Sequence, residues 1–341
     1  NWKDAKHMYD TATRMKIPFM AGSSVPVMWR KPSITVPLDC EIEEVVGLGY
    51  GGNESYGFHA LEGMQCIAER RKGGETGIES VQAVRGEEIW RAEKEGRWSR
   101  DLLLAAMAMQ PYSVKGTLEA RVGDKSPFYL IEYEDGLRAT ITMSSSLGHN
   151  FGCAVKLKGQ EEPVAFAYMG EGGRPYGHFS YLLAAIEHMV HTGEPAYPVE
   201  RTLLTTGALD RAMHSLAKGN RRFDTPELKI AYKANEWPFA KTTIGVPPKT
   251  IENHGAISQE TATAMARAIP KQMSADYGIG ITGVAGPSEI EGKPVGLAFL
   301  AIAGPKEVRE LELRLPPRLV VIKRRLSNQA LIELRKMIGD G

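Results

Sequence analysis

The chain has 341 residues, 43% hydrophobic and 24% charged, with a formal net charge of +1. That length predicts two domains with ample chain to bury a core. The balanced charge gives no electrostatic case for nucleic acid or an anionic membrane, so neither is expected as a partner.

No apolar run approaches a membrane span and no signal peptide opens the chain, so a cytoplasmic protein is expected. Cys40, Cys66 and Cys153 lie far apart without metal or redox spacing, which predicts reduced thiols and no metal site. The first residue is asparagine rather than methionine, which is read as a fragment or a processed chain.

Lys3 to Lys16 has helical periodicity, with Met8, Ala12 and Met15 on one face. Ile17 to Ala21 reads as a short buried strand ending at Gly22-Ser23-Ser24. Glu41 to Leu48 is a further strand, and Gly47-Leu48-Gly49-Tyr50-Gly51-Gly52 satisfies G-x-G-x-x-G ahead of a helix over Glu54 to Arg71. Gly47, Gly49 and Gly52 are therefore candidate cofactor-binding positions, with the helix N-terminus offered to a pyrophosphate. The competing reading is a loop that needs tight turns, because Gly73-Gly74 interrupts the chain before a βαβ unit is evident. His59 follows in the helix. It is a candidate acid or base, since histidine titrates near neutrality, or else a half-buried histidine bonded to backbone.

Val81 to Val84 reads as a strand and Asp101 to Met109 as a short helix. Four strands come next, at Phe128 to Tyr133, Arg138 to Met143, Ala154 to Leu157 and Val164 to Tyr168. The Glu134-Asp135-Gly136 break is a hairpin signal, and the run predicts a mainly antiparallel sheet. Phe179 to Thr192 is a helix with Leu182, Leu183, Ile186, Met189 and Val190 inward and Gly193 as its stop. Val199 to Lys218 is a second, burying Leu203, Leu204, Ala208, Ala212 and Leu216 and stopped by Gly219. His178, Glu187, His188 and His191 resemble a metal set, but their spacing fits solvated helix positions better, so no metal is expected.

Ser258 is an N-cap for a helix through Ala268, with Ala262, Met265, Ala266 and Ile269 inward and Pro270 ending or kinking it. Tyr277 to Ile281 and Val295 to Ala303 are apolar strands. Between them, Thr282-Gly283-Val284-Ala285-Gly286-Pro287 has the residues of a turn with outward N–H groups, able to hold an anion or a polarised carbonyl. A plain hairpin connection is the alternative. Thr282, Gly283, Gly286, Pro287 and Lys293 are the candidate ligand-binding residues, with Thr282 and His59 as candidate catalytic groups. Pro317 opens a last helix with Leu319, Ile322, Leu326, Ala330, Leu334 and Ile338 at core spacing.

GVPPKTIENHGAISQETATAMARA, ADYGIGITGVAGP and GKPVGLAFLAIAGP, spread over residues 244 to 338, resemble the second half of the CinA C-terminal family. The resemblance implies an α/β fold and hydrolysis of the nicotinamide amide of nicotinamide mononucleotide. That family's nucleophilic serine sits in a Ser-Cys-Thr-Gly-Gly segment that does not occur in this sequence. Tyr232 and Lys241 are the nearest candidates for its tyrosine and lysine, out of register.

The stretch from His178 to Leu228 is similar to the closing helices of Gfo/Idh/MocA-type oxidoreductases, through Ala185, Ile186, Gly193, Pro195, Pro198, Val199, Glu200, Ala212, Ser215, Gly219 and Arg222. The opening helix, strand and Arg30 look like that family's exit from its Rossmann domain. The resemblance implies a substrate-side sheet domain that also forms oligomer contacts, without the nucleotide-binding glycines or the Glu-Lys-Pro lysine.

The expected organisation is α/β: residues 1–22 a remnant of a Rossmann domain, 23–243 an α+β sheet domain with covering helices, and 244–341 a partial three-layer α/β domain. The expected protein is a fused or incomplete chain, catalytically impaired as it stands. An NAD(P)-dependent sugar-type oxidoreductase completed by an upstream Rossmann half and a non-catalytic ligand-binding or oligomerisation protein are the alternatives. It is expected to take a nucleotide-like or sugar-like small molecule, to form a homo-oligomer, and to bind no cofactor tightly; NAD(P) is expected only if the Rossmann half is supplied.

Overall fold

A computed structural model describes residues 1–111, 116–123, 125–170, 176–237, 246–273, 275–286, 288–316 and 319–339. The chain divides into two units, Asn1–Ala240 and Lys241–Gly341, and each is taken by itself. The architecture is mixed α/β.

The first unit is built on β2 (Ile42–Gly49), and the strand shows how the rest is arranged. Val45 belongs to one apolar cluster with Ala60, Met64 and Ile67 of α2 (Ser55–Ala68). Its neighbours Val46 and Leu48 belong to a second, with Leu102, Leu103 and Ala106 of α4 (Arg100–Ala108). Alternate residues of a strand point to opposite faces, so β2 is covered on both. The other elements before the sheet are α1 (Trp2–Met15), β1 (Trp29–Lys31), β3 (Ile78–Val84), α3 (Glu87–Lys94) and α5 (Leu118–Arg121). Then come β4 (Phe128–Tyr133), β5 (Arg138–Met143), β6 (Gly152–Leu157), β7 (Val164–Met169), α6 (Ser180–Thr192), α7 (Glu200–Ala217) and β8 (Phe223–Asp224). The sheet runs β1-β7-β6-β2-β5-β4-β3-β8. Its pairings are antiparallel except β2 with β5, which run parallel from Glu44↔Arg138 to Gly49↔Met143.

The second unit has α8 (Pro248–His254), α9 (Gln259–Met273), β9 (Gly278–Gly283), β10 (Leu297–Ala303), β11 (Val308–Arg314) and α10 (Leu319–Gly339). Its antiparallel sheet runs β11-β10-β9. Ala262 and Ala266 of α9 pack with Ala301 and Ala303 on one face. Leu300 and Ile302 meet Ala330 and Met337 of α10 on the other. The approach of α9 to β9 is very close. A Cβ on Gly280 would stand 2.0 Å from the Ala262 carbonyl oxygen, and one on Gly278 would stand 2.1 Å from that of Ala266. Only glycine fits there.

Four expectations are corrected. Residues 17–21 form no strand and pair with none among the described residues; the chain leaves α1 through a left-handed Lys16 and enters the Ser23–Val25 turn instead. Of the α6 face expected inward, Leu183 is 62% and Val190 71% exposed, because the helix packs through Ala185 and Leu182 against Val27 and Tyr197. Pro270 does not end α9, which continues to Met273. Proline removes the N–H that would have bonded the Ala266 carbonyl, and Gly278 lies directly against that oxygen. In α10, Ile338 is exposed and Met337 takes the core position beside Gly304.

Candidate functional site

The Thr282 loop grows out of two strands that stay tied as they leave the sheet. Val284 N–H donates to the Leu297 carbonyl and Gly296 N–H to the Val284 carbonyl, both at 2.8 Å. One amide of the expected nest is thus spent on the hairpin. Gly283 is required by contact, since a Cβ there would lie 2.7 Å from the Leu297 oxygen. Gly286 is required by conformation, at φ +90°. Pro287 lies outside the described residues.

Thr282 and Lys293 converge on one segment, Gly255 to Ile257. The Thr282 hydroxyl donates to the Ala256 carbonyl at 2.7 Å. Glu291, 3.6 Å from the Lys293 ammonium, accepts the Ala256 and Ile257 N–H groups at 2.9 and 3.1 Å. Those backbone donors, Ile257 first, hold the Glu291 carboxyl below its ordinary range, and Lys293 adds to them. Gly255, at φ +81°, makes room for this carboxylate: a Cβ would stand 2.4 Å from its Oε2. Ser258 Oγ accepts Thr261 N–H at 3.1 Å, and the Thr261 hydroxyl donates to the Gly255 carbonyl at 2.7 Å. The hydroxyls of this cluster serve the backbone. Glu291 was not singled out from the sequence, and nothing local connects it to a glycine 36 positions upstream; of its neighbours only Lys293 stood out, as a cation.

The first unit holds the other candidate. His59 Nδ1 lies 2.7 Å from Ser23 Oγ, which also accepts Val25 N–H at 3.0 Å. Ser23 N–H donates to Glu62 Oε2 at 3.2 Å, and the Thr205 hydroxyl donates to Glu62 Oε1 at 2.6 Å. The imidazole is half-buried, with the rings of Phe58, Phe151 and Tyr56 centred 5.7, 6.0 and 6.1 Å away. Burial lowers the His59 pKa, favouring the neutral ring, and raises that of Glu62. A neutral imidazole beside a serine and an aromatic wall is able to exchange a proton or hydrogen-bond a hydroxyl. His59 is bonded to a side chain rather than to backbone.

The glycines of the G-x-G-x-x-G stretch are divided by the fold. Gly47 and Gly49 lie inside β2 on the face toward α2, where a Cβ would come 2.5 Å from Ile141 Cδ1 and Met143 Sδ respectively. Gly52 is in the following turn, and its carbonyl accepts Tyr56 N–H at 3.0 Å. The first two glycines leave room for side chains of β5 and α2.

Sequence reasoning missed a buried ionic network behind α2. Arg201 forks onto Glu69 at 2.9 and 2.5 Å, and Arg71 onto Glu75 at 2.9 Å through both terminal nitrogens. Tyr232, considered for the second unit, instead donates its hydroxyl to Glu69 at 2.9 Å. Lys241 lies outside the described residues. The metal-like histidines stay apart in role: His188 packs at a tilt against Trp237 with centroids 5.0 Å apart, while His191 approaches Glu187 only to 3.9 Å. Among the described residues no group of His, Cys, Asp and Glu is arranged to hold a metal ion, and no helix is long and apolar enough to cross a membrane.

Residues 230–338 match the family model of the CinA C-terminal domain. A putative competence-damage inducible protein of Desulforamulus reducens is 41% identical over 88 residues, 26% of this chain and 21% of that protein. The chain thus spans about a fifth of the length of the curated relatives it matches first. The crystal structure of competence/damage inducible protein CihA from Agrobacterium tumefaciens is 31% identical, covering 27% of this chain and 58% of that one, with a TM-score of 0.26. A putative NADPH-dependent oxidoreductase from Desulfitobacterium hafniense covers 67% of this chain and 71% of its own at 11% identity and a TM-score of 0.40. The C-terminal part of the chain is CinA-like; the likeness to the oxidoreductase is too slight to carry an argument.

Proposed function

We propose that the second unit is the ligand-holding part of a CinA-type nucleotide amidohydrolase site, and that it binds a nicotinamide-nucleotide-like molecule without cleaving it. One observation carries this reading: the hydroxyls of Thr282 and Thr261 donate to backbone carbonyls, and Ser258 Oγ caps α9. Among the described residues no hydrogen bond joins any of them to a lysine or tyrosine that would activate it as a nucleophile. The loop amides and Lys293 supply electrostatic stabilisation, worth about 3 kcal/mol per donor in working oxyanion holes, but a donor set alone attacks nothing. The test is ammonia release from nicotinamide mononucleotide by the purified chain, beside calorimetric binding of the same compound. Binding weakened by Thr282→Ala without turnover is the expected result. Turnover abolished by that substitution overturns the reading.

A second reading applies to the first unit and rests on the Ser23–His59 contact with its aromatic surround. We infer that this unit is the substrate side of an oxidoreductase-type domain taking a sugar-like hydroxyl compound at His59. The chain is then a combination of two catalytic parts, impaired as it stands, cytoplasmic and homo-oligomeric, and it holds NAD(P) only if a Rossmann half is supplied. Micromolar NAD(P) binding that disappears in Gly49→Val contradicts the last point.

A further inference from the structure

The cleft between α1 and the link joining α6 to α7 serves neither candidate site. It has a volume of about 580 Å³ and is lined on the α1 side by Tyr9, Lys16 and Phe19 and on the link side by Tyr197 and Glu200, with Lys233 also at its wall. That volume is in the range of small-molecule sites.

Its walls are held in place before any ligand arrives. The Tyr9 hydroxyl donates to Glu200 Oε1 at 2.8 Å, bridging α1 to α7 across the cleft. The Trp2 ring rests over Gly207, where a Cβ would stand 3.0 Å from it, so α1 is seated closely on α7. The link carries Pro195 and Pro198, which restrict its backbone. Tyr197 is 3% exposed, with the Arg201 guanidinium 4.7 Å from its ring centre. Asn235 ties the Ala196 carbonyl at 2.8 Å. A preformed wall lowers the ordering cost that a ligand must overcome.

The charges are unequal. Lys16 and Lys233 both line the cleft, and among the described residues neither takes part in an ion pair. The one carboxylate among the described lining residues, Glu200, already accepts the Tyr9 phenol, whose own pKa is pushed up to about 12 by burial and then by that carboxylate. The cleft therefore offers two uncommitted cations beside apolar surface from Phe19 and the prolines.

We propose that this cleft binds a small aromatic carboxylate, with its ring against Phe19 and the prolines and its charge at Lys16 and Lys233. Exposed ammonium groups contribute little alone, so ring burial supplies most of the affinity and the lysines select the anion. The experiment is calorimetric titration of the full chain with 2-naphthoate. Two comparators accompany it: 2-naphthylmethanol, which keeps the ring without the charge, and inorganic phosphate, which has charge without a ring. Naphthoate is expected to bind in the high-micromolar range, and each comparator at least about tenfold more weakly. Lys16→Gln and Lys233→Gln are each expected to weaken naphthoate about threefold or more, with circular dichroism and melting unchanged. Absence of naphthoate binding overturns the proposal. So does equal binding of either comparator, or affinity indifferent to both lysine variants.

Discussion

The two units use charge and small residues in opposite ways. The first buries two ion pairs: Arg201 and Glu69 are 6% and 2% exposed in their side chains, and Arg71 and Glu75 4% and 0%. The second has its Lys293–Glu291 pair nearer solvent, at 27% and 35%, and gains closeness through glycine and alanine at the α9–β9 contact. A buried pair is expensive to desolvate and tolerates no loss of one partner. A close backbone contact tolerates no added atom. The difference teaches that the same word, packing, covers two kinds of vulnerability, and substitutions are able to separate them. All five tryptophans (Trp2, Trp29, Trp90, Trp98 and Trp237) lie in the first unit, so their emission reports on that unit while circular dichroism reports on both.

The largest effect is expected from Arg201→Met. It strands the Glu69 carboxylate in the interior, leaving it among the described residues the Tyr232 hydroxyl alone, and costs about 3–5 kcal/mol. Urea unfolding followed by tryptophan emission reads it directly. A loss below about 1 kcal/mol would show that water or a neutral carboxyl relieves the site and that the contrast between the units is weaker than the geometry implies.

Next is Gly280→Ala, which drives a methyl group to 2.0 Å from the Ala262 carbonyl. Overpacking typically costs 1–3 kcal/mol, and the obstacle here is helix backbone, so about 3 kcal/mol is expected. The transition seen by circular dichroism should shift while tryptophan emission does not follow. Gly47→Ala is its counterpart in the first unit. Its nearest obstacle is Ile141 Cδ1, the far end of a side chain, and the next is Met64 Cβ at 3.1 Å. A side-chain tip yields more readily than a carbonyl, and about 1–2 kcal/mol is expected. Equal costs at the two glycines would refute the distinction between side-chain and backbone obstacles.

These glycine pairs also mark what the sequence reveals. Most strands and the helix α7 were legible from period and stops, because β2 to β7 and α7 carry an apolar pattern that their burial matches. The α/β class followed from that. Glycine spacing was not legible in the same way. Gly47 and Gly49 look like a phosphate turn on paper because G-x-G records the need for a bare backbone, not the neighbour that imposes it. In β2 the neighbours are side chains of β5 and of helix α2. Likewise Leu183 and Val190 form an apolar stripe that any helix-period reading turns inward, yet whether a stripe is covered depends on partners far away in sequence. At the candidate sites, Thr282, Lys293 and His59 stood out by residue type. Their true partners, Ala256, Glu291 and Ser23, did not, since a backbone carbonyl, one glutamate among many and a common serine carry no local signal.

The smallest effect belongs to Glu291. Its folded-state pKa lies below its unfolded value because the Ile257 and Ala256 amides stabilise the carboxylate. The charged form is therefore favoured in the folded state, and its stabilisation is fully present above the unfolded pKa, about 4.3. It is lost as pH falls through the lower folded pKa. Solvent screening limits the contribution to well under 1 kcal/mol, since the group is near the surface. Glu291→Gln keeps the shape but removes the charge, so its destabilisation relative to the parent should be measurable near neutral pH and fade as the pH falls through the lowered folded-state pKa. The Ala256 and Ile257 amide resonances should move with the same titration in the parent and stay still in the variant. A pH-independent difference would mean that Glu291 acts there through its shape alone. The surface charges of the second unit would then contribute no pH-dependent stability at the loop that carries Thr282.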